Sequence, residues 1–357
     1  MTRDWLEPLL VPAALALPSN ADYLAHLDAV AADPTLIRLA SNENTEPPAP
    51  RVREALAGAF DEANWYPPRI SPLQLALARR FEVQPGRVLI GAGSTEVIDA
   101  ALRAFVRPGD EVLVPVPSWP VCRTRLTALE ARIVDVPLEQ GGRAFSYDVG
   151  GLLAAVGPQT KLIVVCSPNN PTGNSMSLED LHQCAQTGLL LLVDAAYADF
   201  DPEVDISSLV HEYDGLILTR TFSKAYSLAG LRLGYAIGDA EVLEHVGRFL
   251  LPGSSVSTAA LRAGLAALED EEHHRSQVER ICSERERLLA GLRERGLRAF
   301  DSRANFVAVE PVEGARAFTA RLLERGVLIR PMDERLARIT VGTAAENDAV
   351  LAAVSDR

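Results

Sequence analysis

Short uninterrupted apolar runs recur along the chain: Leu162-Ile163-Val164-Val165-Cys166, Leu189 to Val193 and Leu216-Ile217-Leu218. Runs of this length, bounded by polar or turn residues, predict strands of a parallel sheet covered on both faces. Between them the spacing switches to a helical period. Val97, Ile98, Ala101, Leu102 and Phe105 share one face of a predicted helix over 94–106, and Ser177 opens another that Gly188 closes. Further strands are predicted over 36–40, 87–90, 111–114 and 132–136. A helix capped by Asn20 carries Leu24, Leu27 and Val30 and stops at Asp33-Pro34, and one from Pro50 turns Val52, Leu56 and Phe60 inward. Ser71-Pro72-Leu73-Gln74 has the form of a capping box. A helix over 239–250 precedes a break at 251–254, and one long helical stretch is predicted from Ser257 to about Arg295. The C-terminal part then alternates strand and helix: 305–309, 313–325, 327–330, 336–341 and a final helix after Thr343. The pattern is α/β: a large domain whose mostly parallel central sheet is sandwiched by helices, and a smaller α/β C-terminal domain. We expect an N-terminal arm and small-domain segment over 1–42, a large domain over 43–252 and a small domain with its connecting helix over 253–357.

Composition narrows the class. A chain of 357 residues with 48% hydrophobic side chains buries a large core, and a formal net charge of -13 excludes the clustered basic surface that nucleic-acid binding requires. Cys122, Cys166, Cys184 and Cys282 stand far apart, which suggests neither a zinc site nor a disulfide framework and fits reduced thiols in a cytoplasmic protein. Leu9 to Leu17 imitates a signal-peptide core, but Asp4, Glu7 and Pro12 argue for an arm instead. No segment reaches the twenty or so apolar residues of a membrane span. His273 and His274 fall in a charged helical stretch and read as a solvated face, with no metal-ligand spacing anywhere.

One lysine carries the chemistry. Lys224 follows the run Leu216-Ile217-Leu218, so it lies in the loop beyond the carboxyl end of a buried strand, where open α/β sheets bind ligands. Partial desolvation there lowers an ammonium pKa and makes the amine a nucleophile toward an aldehyde. Thr221, Ser223 and Arg232 are placed to hold a phosphate beside it. A second anion cradle is predicted where Gly91-Ala92-Gly93 turns into the helix opened by Ser94 and Thr95, because first-turn N–H groups and the helix dipole favour negative charge. Glu96 stands where a dinucleotide fingerprint needs its third glycine, and no G-K-[ST] follows, so Rossmann and P-loop readings are both weak.

The stretch Ser223-Lys224-Ala225-Tyr226-Ser227-Leu228-Ala229-Gly230-Leu231-Arg232-Leu233-Gly234 resembles the lysine segment of fold-type-I pyridoxal-phosphate (PLP) enzymes, and in particular the histidinol-phosphate aminotransferase branch. Ser167-Pro168-Asn169-Asn170-Pro171-Thr172-Gly173, Asp194-Ala195-Ala196-Tyr197 and Arg338-Ile339-Thr340-Val341-Gly342-Thr343 match further segments in the same order. The resemblance implies PLP anchored on Lys224, Asp194 against the pyridinium nitrogen, and Asn170 and Tyr197 at the 3'-oxygen. It implies an aromatic residue, here Trp119, flat on the ring, a phosphate site from Gly93, Ser94, Thr95, Thr221, Ser223 and Arg232, and Tyr66 reaching it from the other subunit of a homodimer. Arg338, Arg330 and Asn42 fall on the substrate side. The implied reaction moves an amino group between an amino acid and a 2-oxo acid, with a decarboxylase or cyclase of the same branch, or a PLP-binding regulator, as alternatives. Two departures stand out. Ala195 replaces the family's usual glutamate, and Ser41-Asn42-Glu43-Asn44-Thr45-Glu46-Pro47-Pro48 displaces its Asn-Glu-Asn-Pro proline.

Overall fold

The computed structural model describes Leu17 and residues 21–251 and 255–355. In chain order the strands are β1 (Ile37–Arg38), β2 (Val88–Gly91), β3 (Glu111–Val116), β4 (Arg132–Pro137), the hairpin β5 (Glu139–Gly141) and β6 (Ala144–Ser146), β7 (Thr160–Cys166), β8 (Leu190–Asp194), β9 (Leu216–Thr221), β10 (Gly234–Gly238), β11 (Arg298–Ala299), β12 (Phe306–Glu310), β13 (Val327–Leu328), β14 (Arg330–Pro331) and β15 (Ala337–Thr340). A seven-stranded sheet has the order β2-β10-β9-β8-β7-β3-β4. All its neighbours are parallel except β10, which runs antiparallel to both β2 and β9.

The apolar runs form this sheet because their alternate residues feed two different cores. Leu113, Ile163, Val165, Leu191, Val193, Leu216 and Leu218 face one, with Leu73, Leu77, Leu181 and Cys184 from helices. Val112, Val114, Leu162, Val164, Leu192 and Ile217 face the other, where Val97, Ile98, Leu102, Leu126 and Leu243 cover them. Both faces are dry, so a continuous apolar run suits them. The carboxyl ends of β3, β7, β8 and β9 therefore open onto one edge of the sheet, and the candidate residues gather there.

A smaller antiparallel sheet, β11-β12-β15-β14, carries the C-terminal part, and β1 pairs in parallel with β13 to tie the N-terminal segment to it. The predicted long helix is two helices, Thr258–Glu269 and Glu271–Glu294. Asp270 breaks it: its backbone leaves the helical region and its side chain accepts from the N–H of His273, the role aspartate fills at an N-cap. The capping box at Ser71 is half made. Ser71 Oγ accepts from Gln74 N at 3.1 Å, but the Gln74 amide turns away to donate to the carbonyls of Pro85 and Val88. Phe60, expected inward, lies in a 3-10 turn after the helix Pro50–Gly58 and is 81% exposed. Leu24 and Leu27 of the helix Ala21–Ala32 are also exposed. The Asn20 cap, most of the arm and the centre of the 251–254 break lie outside the described residues.

Candidate active site

The turn after β2 is built for close approach. Gly93 has φ +84°, and a Cβ there would stand 2.6 Å from Nη2 of Arg232; one at Gly234 would stand 2.2 Å from the backbone nitrogen of Ser94. The two glycines let β10 and the Arg232 guanidinium close over the N-terminus of the helix Ser94–Phe105. Glu96, which spoils the dinucleotide fingerprint, accepts from Ala92 N at 2.6 Å and braces the turn. On the lysine side, Thr221 Oγ1 donates to Ser223 Oγ at 3.0 Å and accepts from Ser223 N at 3.1 Å, while Arg232 Nη1 donates to Ala229 O at 3.0 Å and reaches Ser223 Oγ at 3.5 Å. A guanidinium, hydroxyls and first-turn N–H groups thus converge on one anion site.

Lys224 is half-buried beyond the end of β9. Its ammonium donates to Ser41 O at 3.0 Å and sits 5.8 Å from the centroid of the Tyr197 ring. Burial, then the nearby Arg338 and to a lesser extent Arg232, bring its pKa down to about 7 against the opposing pull of Glu43 and Asp194. Asp194 closes β8 and is buried. Burial pushes its carboxyl up to about 6, although the N–H of Ala196, the Thr219 hydroxyl at 3.4 Å and Lys224 work the other way. Both charges are held near neutrality, the condition in which a group can trade protons or accept an incoming partner. Ala195, at the position of the missing glutamate, is fully buried in the core.

Asn170, Tyr197 and Arg338 meet beside them. Arg338 Nη1 donates to Asn170 Oδ1 and its Nη2 to Ala40 O, both at 2.7 Å, and its guanidinium lies 5.5 Å from the Phe306 ring. Asn170 Nδ2 donates to Tyr197 Oη at 3.3 Å, and Asn42 Nδ2 donates to the same oxygen at 3.0 Å. The loop carrying Asn170 is stitched by Asn169 to Pro117 O and Thr172 Oγ1, and Ser167 N donates to Asp194 O. Spacing in the sequence offers no pointer to Thr340 of β15 and Asn305, just before β12, which bind Asn42, because they approach from more than 260 positions away in the chain.

The remaining candidates are distributed around this centre. Trp119 follows β3 and occupies the position before the helix Pro120–Ala128, half-buried against the second core. Arg330 faces Arg338 across the β14–β15 pairing. Tyr66 is 85% exposed and lines a broad groove with Phe60, Trp65 and Val256. In the displaced loop Thr45 donates to Glu346 Oε2 at 2.6 Å, and that oxygen also accepts from Thr343 N, so the loop is pinned to the start of the helix Ala344–Ser355. His274 does not lie on a solvated face. Its ring stacks on Tyr226 at 4.3 Å and its Nε2 reaches Asp199 Oδ1 at 3.2 Å. Among the described residues no cluster of His, Cys, Asp and Glu is arranged to hold a metal ion, and no helix is long and apolar enough to cross a membrane.

Residues 34–354 match the family model of aminotransferase class I and II. The chain is 37% identical over 325 residues to histidinol-phosphate aminotransferase 2 of Caulobacter vibrioides, covering 89% of this chain and 85% of that protein. It is 35% identical over 324 residues to an aromatic amino acid aminotransferase of Mycobacteroides abscessus, covering 89% and 92%. Among solved structures, histidinol-phosphate aminotransferase from Sinorhizobium meliloti in complex with pyridoxal-5'-phosphate superposes with a TM-score of 0.87 at 29% identity, covering 97% of this chain and 96% of that one.

Proposed function

The chain belongs to the class I and II aminotransferases, as a pyridoxal-phosphate-dependent transaminase of fold type I in the histidinol-phosphate aminotransferase-like branch, and on that premise we propose that Lys224 anchors the cofactor and moves the proton of the transfer. The observation that carries this assignment is a half-buried amine with its pKa brought down to about 7, beside an anion cradle so tight that Gly234 leaves no room for a Cβ against the backbone nitrogen of Ser94. Those residues fit the group: an amine for its aldehyde, and a guanidinium, hydroxyls and helix N–H groups for its phosphate. When bound, PLP supplies an electron sink for the bond broken at the substrate's Cα.

The chain's own residues do the rest. Lys224, once released, is an amine whose basicity suits taking a proton from Cα and returning it to the cofactor's C4' near neutral pH. Asp194, short of a cation of its own, keeps a proton on the ring nitrogen. Asn170 and Tyr197 address the 3'-oxygen, and Trp119 the ring face. Arg338 receives the substrate's α-carboxylate, exchanging its bonds to Asn170 and Ala40 for a bidentate grip, and Arg330 takes a more distal anionic group. A carboxylate gripped in that way would be kept in place while the Cα–H bond is the one presented for cleavage, which disfavours decarboxylation.

The substrates are an amino acid and a 2-oxo acid. We propose a homodimer in which Tyr66 completes the neighbour's phosphate site. The exposed Phe60, Trp65 and Tyr66 support it, since an aromatic patch of that kind marks an association surface. Four unpaired cysteines support a reducing, cytoplasmic compartment. The pairing of β1 with β13 supports grouping 1–42 with the small domain of 253–357 against a large domain of 43–252. The test is a panel of amino donors, beginning with histidinol phosphate and the aromatic amino acids. A 2-oxo acid from the amino acids, or the ketone from histidinol phosphate, without carbon dioxide is expected, and carbon dioxide release overturns the assignment. Arg338→Leu should lower kcat/KM for carboxylate-bearing donors by about 3 kcal/mol.

A further inference from the structure

We propose that Asn42 is a positioning residue that aims the proton of the Tyr197 hydroxyl into the active site, with Thr340 of β15 and Asn305, just before β12, fixing Asn42 in turn. The inference rests on the cofactor reading above and concerns a residue otherwise expected to meet the substrate.

A phenol has one proton to give and two lone pairs to accept with. At Tyr197 both acceptor directions are occupied, by Asn42 Nδ2 at 3.0 Å and Asn170 Nδ2 at 3.3 Å. The proton is left as the hydroxyl's only outward bond. The orientation of each amide is set by its other partner. Arg338 can only donate, so Asn170 turns its Oδ1 to the guanidinium and its NH2 to Tyr197. Thr340 Oγ1 accepts from the backbone nitrogen of Asn42 at 2.9 Å and so gives its own proton to Asn42 Oδ1 at 3.2 Å, which again leaves the NH2 for Tyr197. Asn305 Nδ2 holds the carbonyl of Asn42 at 3.1 Å.

The backbone of Asn42 is in the left-handed region, φ 54°, a conformation that asparagine and glycine tolerate best. Asn42 is 1% exposed, and Asn305 and Thr340 are fully buried. Arg338, Asp194, Lys224 and the buried Cys166 thiol also lie near Tyr197, but the amides bonded to its hydroxyl are those of Asn42 and Asn170. The small sheet therefore sets the direction of a proton donor at the edge of the large one.

A hydroxyl that donates to the cofactor's ring oxygen stabilises that oxygen's anionic form, so weakening the donor makes the bound group keep its proton to higher pH. The experiment is a pH titration of the visible absorbance of the holoenzyme. Asn42→Gly keeps the left-handed backbone and removes the amide, and its midpoint should rise by about one pH unit, the scale of a hydrogen bond to a charged group. Asn42→Asp replaces the donor by an acceptor that draws the Tyr197 proton to itself, and should raise the midpoint further. Asn44→Gly is the loop control, because Asn44 bonds to Gln277 and Arg280 instead, and should leave the midpoint in place. A band that titrates identically in wild type and Asn42→Gly, or an equal rise in Asn44→Gly, overturns the inference alone. No Lys224-dependent band in the wild-type holoenzyme overturns the functional reading and the inference with it.

Discussion

Asp194 closes β8 and Asp199 lies five positions on, in the 3-10 turn Ala198–Phe200, and the fold treats the two buried carboxylates in opposite ways. Burial would raise both. Around Asp199 it is overcome, because Arg220 donates to it at 2.9 Å and His274 stands at 3.2 Å, and the carboxyl is held below its ordinary value. Around Asp194 only a long hydroxyl contact, a backbone N–H and the nearby Lys224 oppose burial, and the carboxyl rises to about 6. The two cations differ in the same way: Arg220 is paired, whereas Lys224 has a carbonyl for company and falls to about 7. Pairing a buried charge is therefore within this fold's means. The charges left without an opposite partner are those that the proposed function assigns to the cofactor, and on that proposal the stability they forgo belongs to function.

The largest expected effect separates the two lysine-side cations. Lys224→Met should abolish the cofactor's lysine-linked visible band and all turnover, yet stabilise the apoprotein at pH 7 by about 1–3 kcal/mol in urea unfolding. Its sign comes from linkage. The folded pKa lies below the unfolded one, so between about pH 7 and 10 the unfolded state binds more protons, wild-type stability rises with pH, and the advantage of Met shrinks. Equal stability at pH 7 would remove the claim that the ammonium is strained.

Arg220→Met should do the reverse, costing about 3–5 kcal/mol because it leaves Asp199 buried and uncompensated. Removing both charges with Asp199→Leu should restore much of the loss. A single variant that unfolds at the wild-type urea concentration would show that the Asp199 cluster is no more stabilising than a surface pair.

A smaller effect is expected from Asp194→Asn. In the apoprotein it should gain about 1–2 kcal/mol above pH 6, where the carboxylate would otherwise be ionised. The gain should fade as the pH falls from about 6 toward 4, because the wild-type carboxyl then takes up its proton in the folded state before the unfolded one does. Turnover should drop sharply in the same variant, so stability and activity move apart. A loss of stability at pH 7.5 would contradict the reading of Asp194 as an unpaired charge.

The smallest effect is kinetic. The rate at which added PLP forms its lysine-linked band should climb through about pH 7, as Lys224 loses its proton. Arg338→Leu removes a positive neighbour that lowers this pKa, so the midpoint should shift upward by a fraction of a unit. A downward shift would reverse the assigned electrostatics.

Much of this is legible in the chain itself, and for a local reason. Leu189 to Val193 and its companion runs declare strands buried on both faces because every residue in them is apolar. The residues at or just past the end of each strand then fall at the sheet's carboxyl edge: Asn170, Asp194 and Lys224 each come after such a run. Segment matches point to the same residues, since a cofactor's contacts fall within short stretches of backbone. Where Phe60, Leu24 and Leu27 face is not legible, because an amphipathic period says that a side is apolar and not what covers it. Asp270 reads as helix interior in a long charged stretch, and only its side-chain contact shows it to be a cap. His274 reads as a solvated residue because its partners, Asp199 and Tyr226, lie 75 and 48 positions away in the chain. The partners of Asn42 are of the same kind: Thr340 is 298 positions distant, Asn305 263 and Tyr197 155. Sequence periodicity reports burial, which each residue carries in its own chemistry. The direction of a hydroxyl proton and the pairing of a buried charge depend on which distant polar groups the packing brings within about 3 Å, and only the tertiary structure decides that.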